Sequence, residues 1–235
     1  MTEPICSSGP GEFGRNLPAS GLPNWRPVEA SSIVSDRRTA DFNQACAAFD
    51  SIDPLGWPIV VYGSARPVRG SAEYKLGVKV GRALAEAGFT VITGGGPGMM
   101  EAVNRGAHGI SLSIGVNAKL PNEQAPNPDV DVAIKCEFLD IRKAVMERYS
   151  RGFVLLPGGY GSYDEWFQAL TLLKTGKLEE RPAVMVGEQF YGGLHDWTQT
   201  VVPSGMITSE ELRLYSLVDT VDELVEELMP KHAAS

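Results

Sequence analysis

The sequence is short of several things that would point to particular functions. Three cysteines, Cys6, Cys46 and Cys136, are scattered over 235 residues, odd in number and without a CxxC pair or a Cys/His cluster. That excludes a disulfide framework and a thiolate zinc site, and fits free thiols in a reducing compartment. The three histidines, His108, His195 and His232, belong to no motif and read as surface or structural residues. Basic charge is also scarce: 21 Lys and Arg against 29 Asp and Glu leave a formal net charge of −8. A nucleic-acid binder normally presents a basic surface, so this balance argues against one. It does not argue against a small phosphorylated ligand, because backbone N–H groups hold a phosphate whatever the net charge. A local cation inside such a site is still expected. No apolar run approaches the length that crosses a bilayer, and the start MTEPICSSGPGEFGRNLP has no basic region followed by an apolar stretch. The expectation is a cytoplasmic protein with no membrane and no nucleic-acid partner.

Two nucleotide-binding fingerprints are missing as well. GxxxxGK[ST] does not occur, and the one GxGxxG match, Gly9 to Gly14, falls in an aperiodic segment rather than between a strand and a helix. Neither a Walker loop nor a standard dinucleotide fingerprint is supported.

What is present is a repeated rhythm. Residues 1–34 are rich in Gly, Pro, Ser and Asn and read as a flexible N-terminal extension. Phe42, Ala45, Cys46 and Phe49 recur at helical spacing within Ser35 to Ile52. After Trp57 come a strand over Pro58–Tyr62, a helix over Ser71–Ala87 closed by Gly88, and a strand over Phe89–Thr93. A helix over Met99–Ala107 follows, then strands over Ile110–Val116 and Val130–Ile134 around the polar loop Pro121–Pro128. Leu139–Arg151 reads as a helix, Gly152–Leu156 as a strand, Ser162–Thr175 as a helix and Ala183–Gly187 as the last strand. Helices around Leu194–Val202 and Val221–Met229 complete the chain. Strands alternating with helices imply parallel pairing through right-handed crossovers. The expected fold is a single-domain, Rossmann-like α/β architecture over 35–235, a doubly wound parallel sheet flanked by helices.

In such a sheet ligands bind beyond the carboxyl ends of the strands. Three strand ends carry glycine-rich turns that each precede a helix: Gly63-Ser64-Ala65-Arg66, Gly94-Gly95-Gly96-Pro97-Gly98 and Pro157-Gly158-Gly159-Tyr160-Gly161-Ser162. Helix N-termini present unpaired N–H donors and a partial positive charge, and glycine lets the backbone approach an anion closely. One such turn is as readily a tight turn; three on one sheet edge point to a phosphate site. Ser162 is placed to cap its helix and donate its hydroxyl to the same phosphate. Glu165 falls in the first turn of that helix beside Asp164, whose acidity simply complements the helix dipole. Glu101 is placed similarly after the second loop. Arg142 and Lys143 sit early in their helix, where a cation opposes the dipole, so an anion in the crevice is the expected counterpart. Tyr160, Met99 and Met100 flank the loops and either contact a base or ribose or pack into the core.

GGGPGMMEAVNRGA (94–107), RKAVM (142–146), PGGYGSYDE (157–165) and LTLLKTGK (170–177) together resemble the LOG family, whose members were long labelled lysine decarboxylases. The resemblance runs from about Ile59 to the C-terminal helix. It implies a homodimeric Rossmann-like phosphoribohydrolase that splits a cytokinin nucleotide, or a simpler nucleoside monophosphate, into free base and ribose 5-phosphate. It also implies that Arg142 and Glu165 are the catalytic arginine and glutamate. Gly159, Gly161 and Ser162 correspond to the family's phosphate loop and Glu101 to an acidic residue near the ribose. Gly63, Ser64, Gly95, Gly96, Gly98, Met100, Lys143, Gly158 and Tyr160 complete the expected substrate-binding set. No metal and no cofactor is expected. Ser162 stands where threonine is usual, Gly63–Arg66 departs from the Gly-Ser-Ser of many plant members, and the N-terminal extension resembles a longer bacterial subgroup. Lysine decarboxylation would call for pyridoxal phosphate on a lysine, and nothing marks one, since Lys143 belongs to the Arg-Lys pair. The rival from another class is a nucleotide-binding carrier that uses the same loops without catalysis.

Overall fold

The computed structural model describes residues 32–119 and 125–229. The chain divides after Ser35, so the expected extension over 1–34 lies almost wholly outside the described residues, as do Cys6, the Gly9–Gly14 match and His232. The seven-stranded sheet belongs to the second unit, from Asp36 onward. Among the described residues the helices are α1 Ser32–Asp50, α2 Ala72–Glu86, α3 Met99–Ala107, α4 Leu139–Tyr149, α5 Tyr160–Lys174, α6 Glu188–Val201 and α7 Val221–Leu228. The strands are β1 Trp57–Tyr62, β2 Phe89–Thr93, β3 Ser113–Ala118, β4 Val132–Cys136, β5 Gly152–Leu155, β6 Ala183–Val186 and β7 Ser216–Val218.

All seven strands are parallel, in the order β4-β3-β2-β1-β5-β6-β7. Winding runs outward from β1 in one direction and from β5 in the other. The doubly wound, Rossmann-like sheet read from the sequence is the observed one. Its central strands are apolar throughout because both faces are covered, as parallel sheets require. Along β1, Ile59 and Val61 join a core layer with Val80, Leu84, Val103 and Leu224 from α2, α3 and α7. Val60 and Tyr62 point to the opposite layer, with Phe49, Val145, Met146, Trp166 and Tyr191 from α1, α4, α5 and α6. The period-2 alternation of the strand thus sorts its residues between two cores.

Local signals set several boundaries. Ser71 caps α2 by accepting the Tyr74 N–H at 3.2 Å, and Gly88, at φ +86°, closes it. Helices α2 and α3 cross with their backbones almost touching: a Cβ on Gly81 would lie 2.0 Å from the Val103 carbonyl oxygen. Gly81→Ala is expected to lower unfolding free energy by about 2 kcal/mol, as overpacking a rigid backbone contact does. An unchanged denaturation midpoint would show that the two helices separate freely.

Several boundaries differ from expectation. Helix α5 begins at Tyr160 rather than Ser162, because Gly161 is helical instead of ending the loop. Helix α6 begins at Glu188 rather than near Leu194, running through Gly192 and Gly193, with Tyr191, fully buried, in its first turns. Strand β7 was not anticipated, since three residues of partial burial on a sheet edge carry no clear periodicity. Strand β3 runs to Ala118 and β4 to Cys136, each two residues beyond its expected end.

Candidate functional site

The strand order reverses between β1 and β5, and a cavity of about 1040 Å³ opens beyond their carboxyl ends. This is where a doubly wound sheet leaves a crevice, because crossovers depart to opposite sides. Gly63 and Ser64 from the turn after β1, and Gly158 to Ser162 from the turn after β5, line it. Met100, Arg142 and Glu165 complete the part anticipated from sequence.

Ser64 joins all three turns. Its N–H donates to the Pro157 carbonyl at 3.2 Å, and its own carbonyl accepts the Met99 N–H at 2.8 Å. Gly98 makes that crossing possible. It sits at φ +71°, and a Cβ there would lie 2.5 Å from the Ala65 carbonyl carbon.

The middle turn therefore does different work from the other two. The Asn127 N–H donates to the Gly95 carbonyl at 2.9 Å and the Asn127 Nδ2 to the Gly96 carbonyl at 3.0 Å. Asn127 also donates to Asn104 Oδ1 at 2.9 Å, which accepts the Thr93 hydroxyl at 2.6 Å. Asn104 in turn donates to Ser113 Oγ at 2.8 Å. This satisfied buried network holds the turn in place, and Gly95, Gly96 and Gly98 do not line the cavity. Met99 is buried in the core while Met100 reaches the cavity wall.

After β5 the backbone enters α5 through Gly159, which caps it without a side chain. Ser162 is thus inside the first turn rather than at the cap, buried, with its hydroxyl against Gly158, where a Cβ would come within 2.3 Å. The first-turn amides of α5 have no partners within the helix and face the crevice end. Tyr160 stands almost fully exposed at the mouth, at 94%.

Glu165 falls in the second turn of α5, one turn later than expected because the helix starts earlier. It is buried and its carboxylate accepts a hydrogen bond from Arg142 Nη2 across from α4. Burial pushes the Glu165 carboxyl above the ordinary carboxylate range, and the Arg142 charge pulls against that rise. The result is a carboxylate more basic than a surface one yet held opposite a cation. The Arg142 Nε is buried without an acceptor, and Gly94 lies beside the other guanidinium nitrogen. Lys143 turns away from the cavity to pair with Asp164 at 2.8 Å; Asp164 lies past the first turn of α5, so this ion pair replaces the expected complement to the helix dipole. Glu101 also points elsewhere, accepting from Arg69 Nε at 2.6 Å and from the Tyr74 hydroxyl at 2.8 Å.

Sequence reasoning missed several wall residues: Arg66, Val68, Leu139, Tyr163 and Phe190. Arg66 follows directly on a singled-out glycine turn and was within reach of that reading. Leu139, Tyr163 and Phe190 come from three different helices and share no pattern. Glu147, one turn below Lys143 on α4, was also missed. It is 4% exposed, its Oε1 lacks a partner, and burial raises its carboxyl to about 7. The two described histidines stand apart from the cavity: His108 pairs with Asp131 at 3.0 Å and His195 bonds the Tyr215 hydroxyl at 3.0 Å. The buried Cys136 thiol is raised to about 12, which suits a packing residue and not a nucleophile.

The fold and this crevice define a doubly wound α/β protein that sets a partly buried Arg–Glu pair beside a glycine-lined helix N-terminus. The chain belongs to the family described as "Possible lysine decarboxylase", the LOG family, whose model matches residues 100–228. It is 31% identical to a Mycobacterium tuberculosis protein named cytokinin riboside 5'-monophosphate phosphoribohydrolase, over 76% of this chain and 97% of that one. A protein of the same activity name from Oryza sativa subsp. japonica is 29% identical, over 74% of each chain. Among solved structures, the structural-genomics target TM1055 superposes with a TM-score of 0.55 at 28% identity, covering 72% of this chain and 96% of that one. A molybdenum cofactor carrier protein from Chlamydomonas reinhardtii shares the fold, with a TM-score of 0.54 at 20% identity over 72% of this chain and 94% of that one.

Proposed function

We propose that this chain is a phosphoribohydrolase that cleaves the N-glycosidic bond of a nucleoside 5'-monophosphate. The substrate is a cytokinin riboside monophosphate or an AMP-like nucleotide, and the products are the free base and ribose 5-phosphate. The observation that carries the reading is the partly buried Arg142–Glu165 pair in the wall of the crevice, next to the first turn of α5. Relatives named for this activity support it.

In this reading the phosphate sits against the amides of Gly159, Tyr160 and Gly161 with the Ser162 hydroxyl as a further donor. Gly63, Ser64 and Arg66 close the opposite side. Breaking the base–ribose bond builds positive charge on the sugar, as in other glycoside cleavages. Glu165 stabilises that charge and takes a proton from the attacking water, a task its raised basicity suits. The bonding pair leaves with the base nitrogen, which gains a proton, and Arg142 stabilises the departing charge. Water is the only co-substrate. Residues 35–235 form the catalytic domain and 1–34 an extension to it, in a cytoplasmic enzyme that uses neither membrane nor nucleic acid. The exposed apolar side chains Leu139, Tyr160, Phe167 and Phe190 near the mouth fit a homodimer formed beside the site. Light scattering is expected to give twice the chain mass, and a monomer at working concentration would contradict that part.

The test is base release from a panel of nucleoside monophosphates including AMP and isopentenyl-AMP, followed by chromatography. Free base with equimolar ribose 5-phosphate establishes the hydrolase, and the ranking names its substrate. Binding of nucleotides that then stay intact would make the chain a carrier instead.

A further inference from the structure

Helix α4 carries Arg142, yet it is poorly equipped to hold itself in place. Of its eleven residues only Val145, Met146 and Glu147 are buried. Its N-cap residue, Phe138, supplies no side-chain hydrogen bond. The missing cap comes from another helix. The Asp41 carboxylate of α1, 8% exposed, accepts the Glu137 N–H at 3.0 and 2.9 Å and the Phe138 N–H at 3.1 Å. A carboxylate at a helix start satisfies orphan donors and complements the dipole together.

The same two helices are joined around that point and again at the far end. Arg37 pairs with Glu137 and Arg38 with Asp140, and the Arg38 guanidinium lies 4.7 Å from the Phe138 ring centroid. At the C-terminal end of α4, Tyr149 stacks on Phe49 with centroids 4.3 Å apart and donates its hydroxyl to Asp50 at 2.6 Å. Helix α1 is a splint along α4. From the cap to Arg142 the connection is direct: Asp41 holds the Phe138 N–H, and the Phe138 carbonyl accepts the Arg142 N–H at 3.0 Å.

We infer that Asp41 is a positioning residue for Arg142: from α1 it caps the helix bearing the arginine and so holds the guanidinium against Glu165. The inference rests on the proposed function only in its kinetic consequence. Its structural part concerns the Arg142–Glu165 distance and is tested without turnover.

The experiment is a 13C-NMR titration of the Glu165 carboxyl carbon in the full chain, its resonance assigned by comparison with Glu165→Gln, run on wild type, Asp41→Ala and Asp41→Asn. If α4 shifts, Arg142 moves off Glu165, and removal of an opposing charge raises the titration midpoint. Asp41→Ala is expected to raise it by about half a pH unit or more. Asp41→Asn keeps an oxygen at the Oδ2 position, which accepts both N–H groups, and is expected to restore the wild-type midpoint. In parallel, Asp41→Ala is expected to lower kcat about tenfold with KM changed less than about threefold, and to add nothing in an Arg142→Ala background. A Glu165 midpoint identical in wild type and Asp41→Ala overturns the inference, as does a loss of kcat that multiplies with that of Arg142→Ala. If Asp41→Ala does not fold, Asp41→Ser, too short to reach both N–H groups, takes its place in every arm. If wild type releases no base from any nucleotide, the proposed function falls and the titration still decides the role of Asp41.

Discussion

Glu165→Ala is expected to lower base release by about a thousandfold or more while leaving nucleotide affinity within about tenfold, the pattern of an interaction made mainly in the transition state. The asymmetry follows from where each part of the nucleotide is held. In the proposed reading the phosphate is met by the backbone of 159–161 and by Ser162, which line the crevice and which the substitution leaves in place. Charge at the sugar carbon develops only as the bond breaks, and Glu165 is the buried carboxylate available to meet it. Alanine also strands Arg142, whose side chain is 16% exposed. Removing one partner of a partly buried pair leaves a poorly compensated charge and lowers stability, so a thermal melt must accompany the kinetics. Glu165→Gln separates the two effects: its amide oxygen still accepts from Arg142, while its charge and basicity are gone. Both variants should be inactive and the glutamine form more stable than the alanine form. Base release at the wild-type rate by either one would remove Glu165 from the chemistry.

The second large effect concerns stability and pH. Glu147→Gln is expected to stabilise the protein above about pH 8 by up to about 3 kcal/mol and to leave it nearly unchanged near pH 4.5. Burial lifts the Glu147 carboxyl from an ordinary 4.5 to about 7. Each pH unit of that rise is worth about 1.4 kcal/mol. A carboxyl whose folded value lies above its unfolded value favours the folded state below the unfolded value and loses that advantage as pH rises through the folded one. The charges around it do not reverse this. Lys143 on the same helix lowers the value, as does a hydrogen bond with Gln168 on α5, but Glu165 and Asp164 on α5 push it up again. From β1, on the same face of the sheet, Tyr62 feels both Glu165 and Glu147. From beyond α5, Arg181 reaches the Glu147 carbonyl, at 3.3 Å, and not its carboxylate. Urea denaturation at pH 5 and pH 8.5 measures the difference. A glutamine variant less stable than wild type at pH 8.5 would mean that ionised Glu147 is a net stabilising partner of Lys143.

Both glutamates lie on the α4–α5 side of the crevice, and they show how far the sequence could be read. Glu165 was visible because it follows a glycine-rich strand end, a local and ordered pattern. Glu147 sits in RKAVMERY beside other charged residues and looks like part of a solvated face. Tertiary packing leaves it only 4% exposed, with Gln168 of α5 hydrogen-bonded to it, and neither is legible from spacing. The same contrast separates the two kinds of glycine turn. The sequence shows three alike; in three dimensions two line the cavity, and the middle one is tied to Asn127 from a distant loop. Asp41 is the extreme case: its N–H partners lie 96 and 97 residues along the chain, and no spacing rule connects them.

The strand–turn–helix alternation, the parallel pairing and the side of the sheet on which any ligand must lie were therefore decided by amino-acid order alone. They depend on periodicity and on glycine at strand ends, which act over a few neighbouring residues. Which turns line the crevice, which carboxyl is stripped of water and which side chain meets the amides before α4 were decided only on folding. Those properties belong to groups far apart in sequence, whose charges and hydrogen bonds acquire their strength when packing brings them together and excludes solvent.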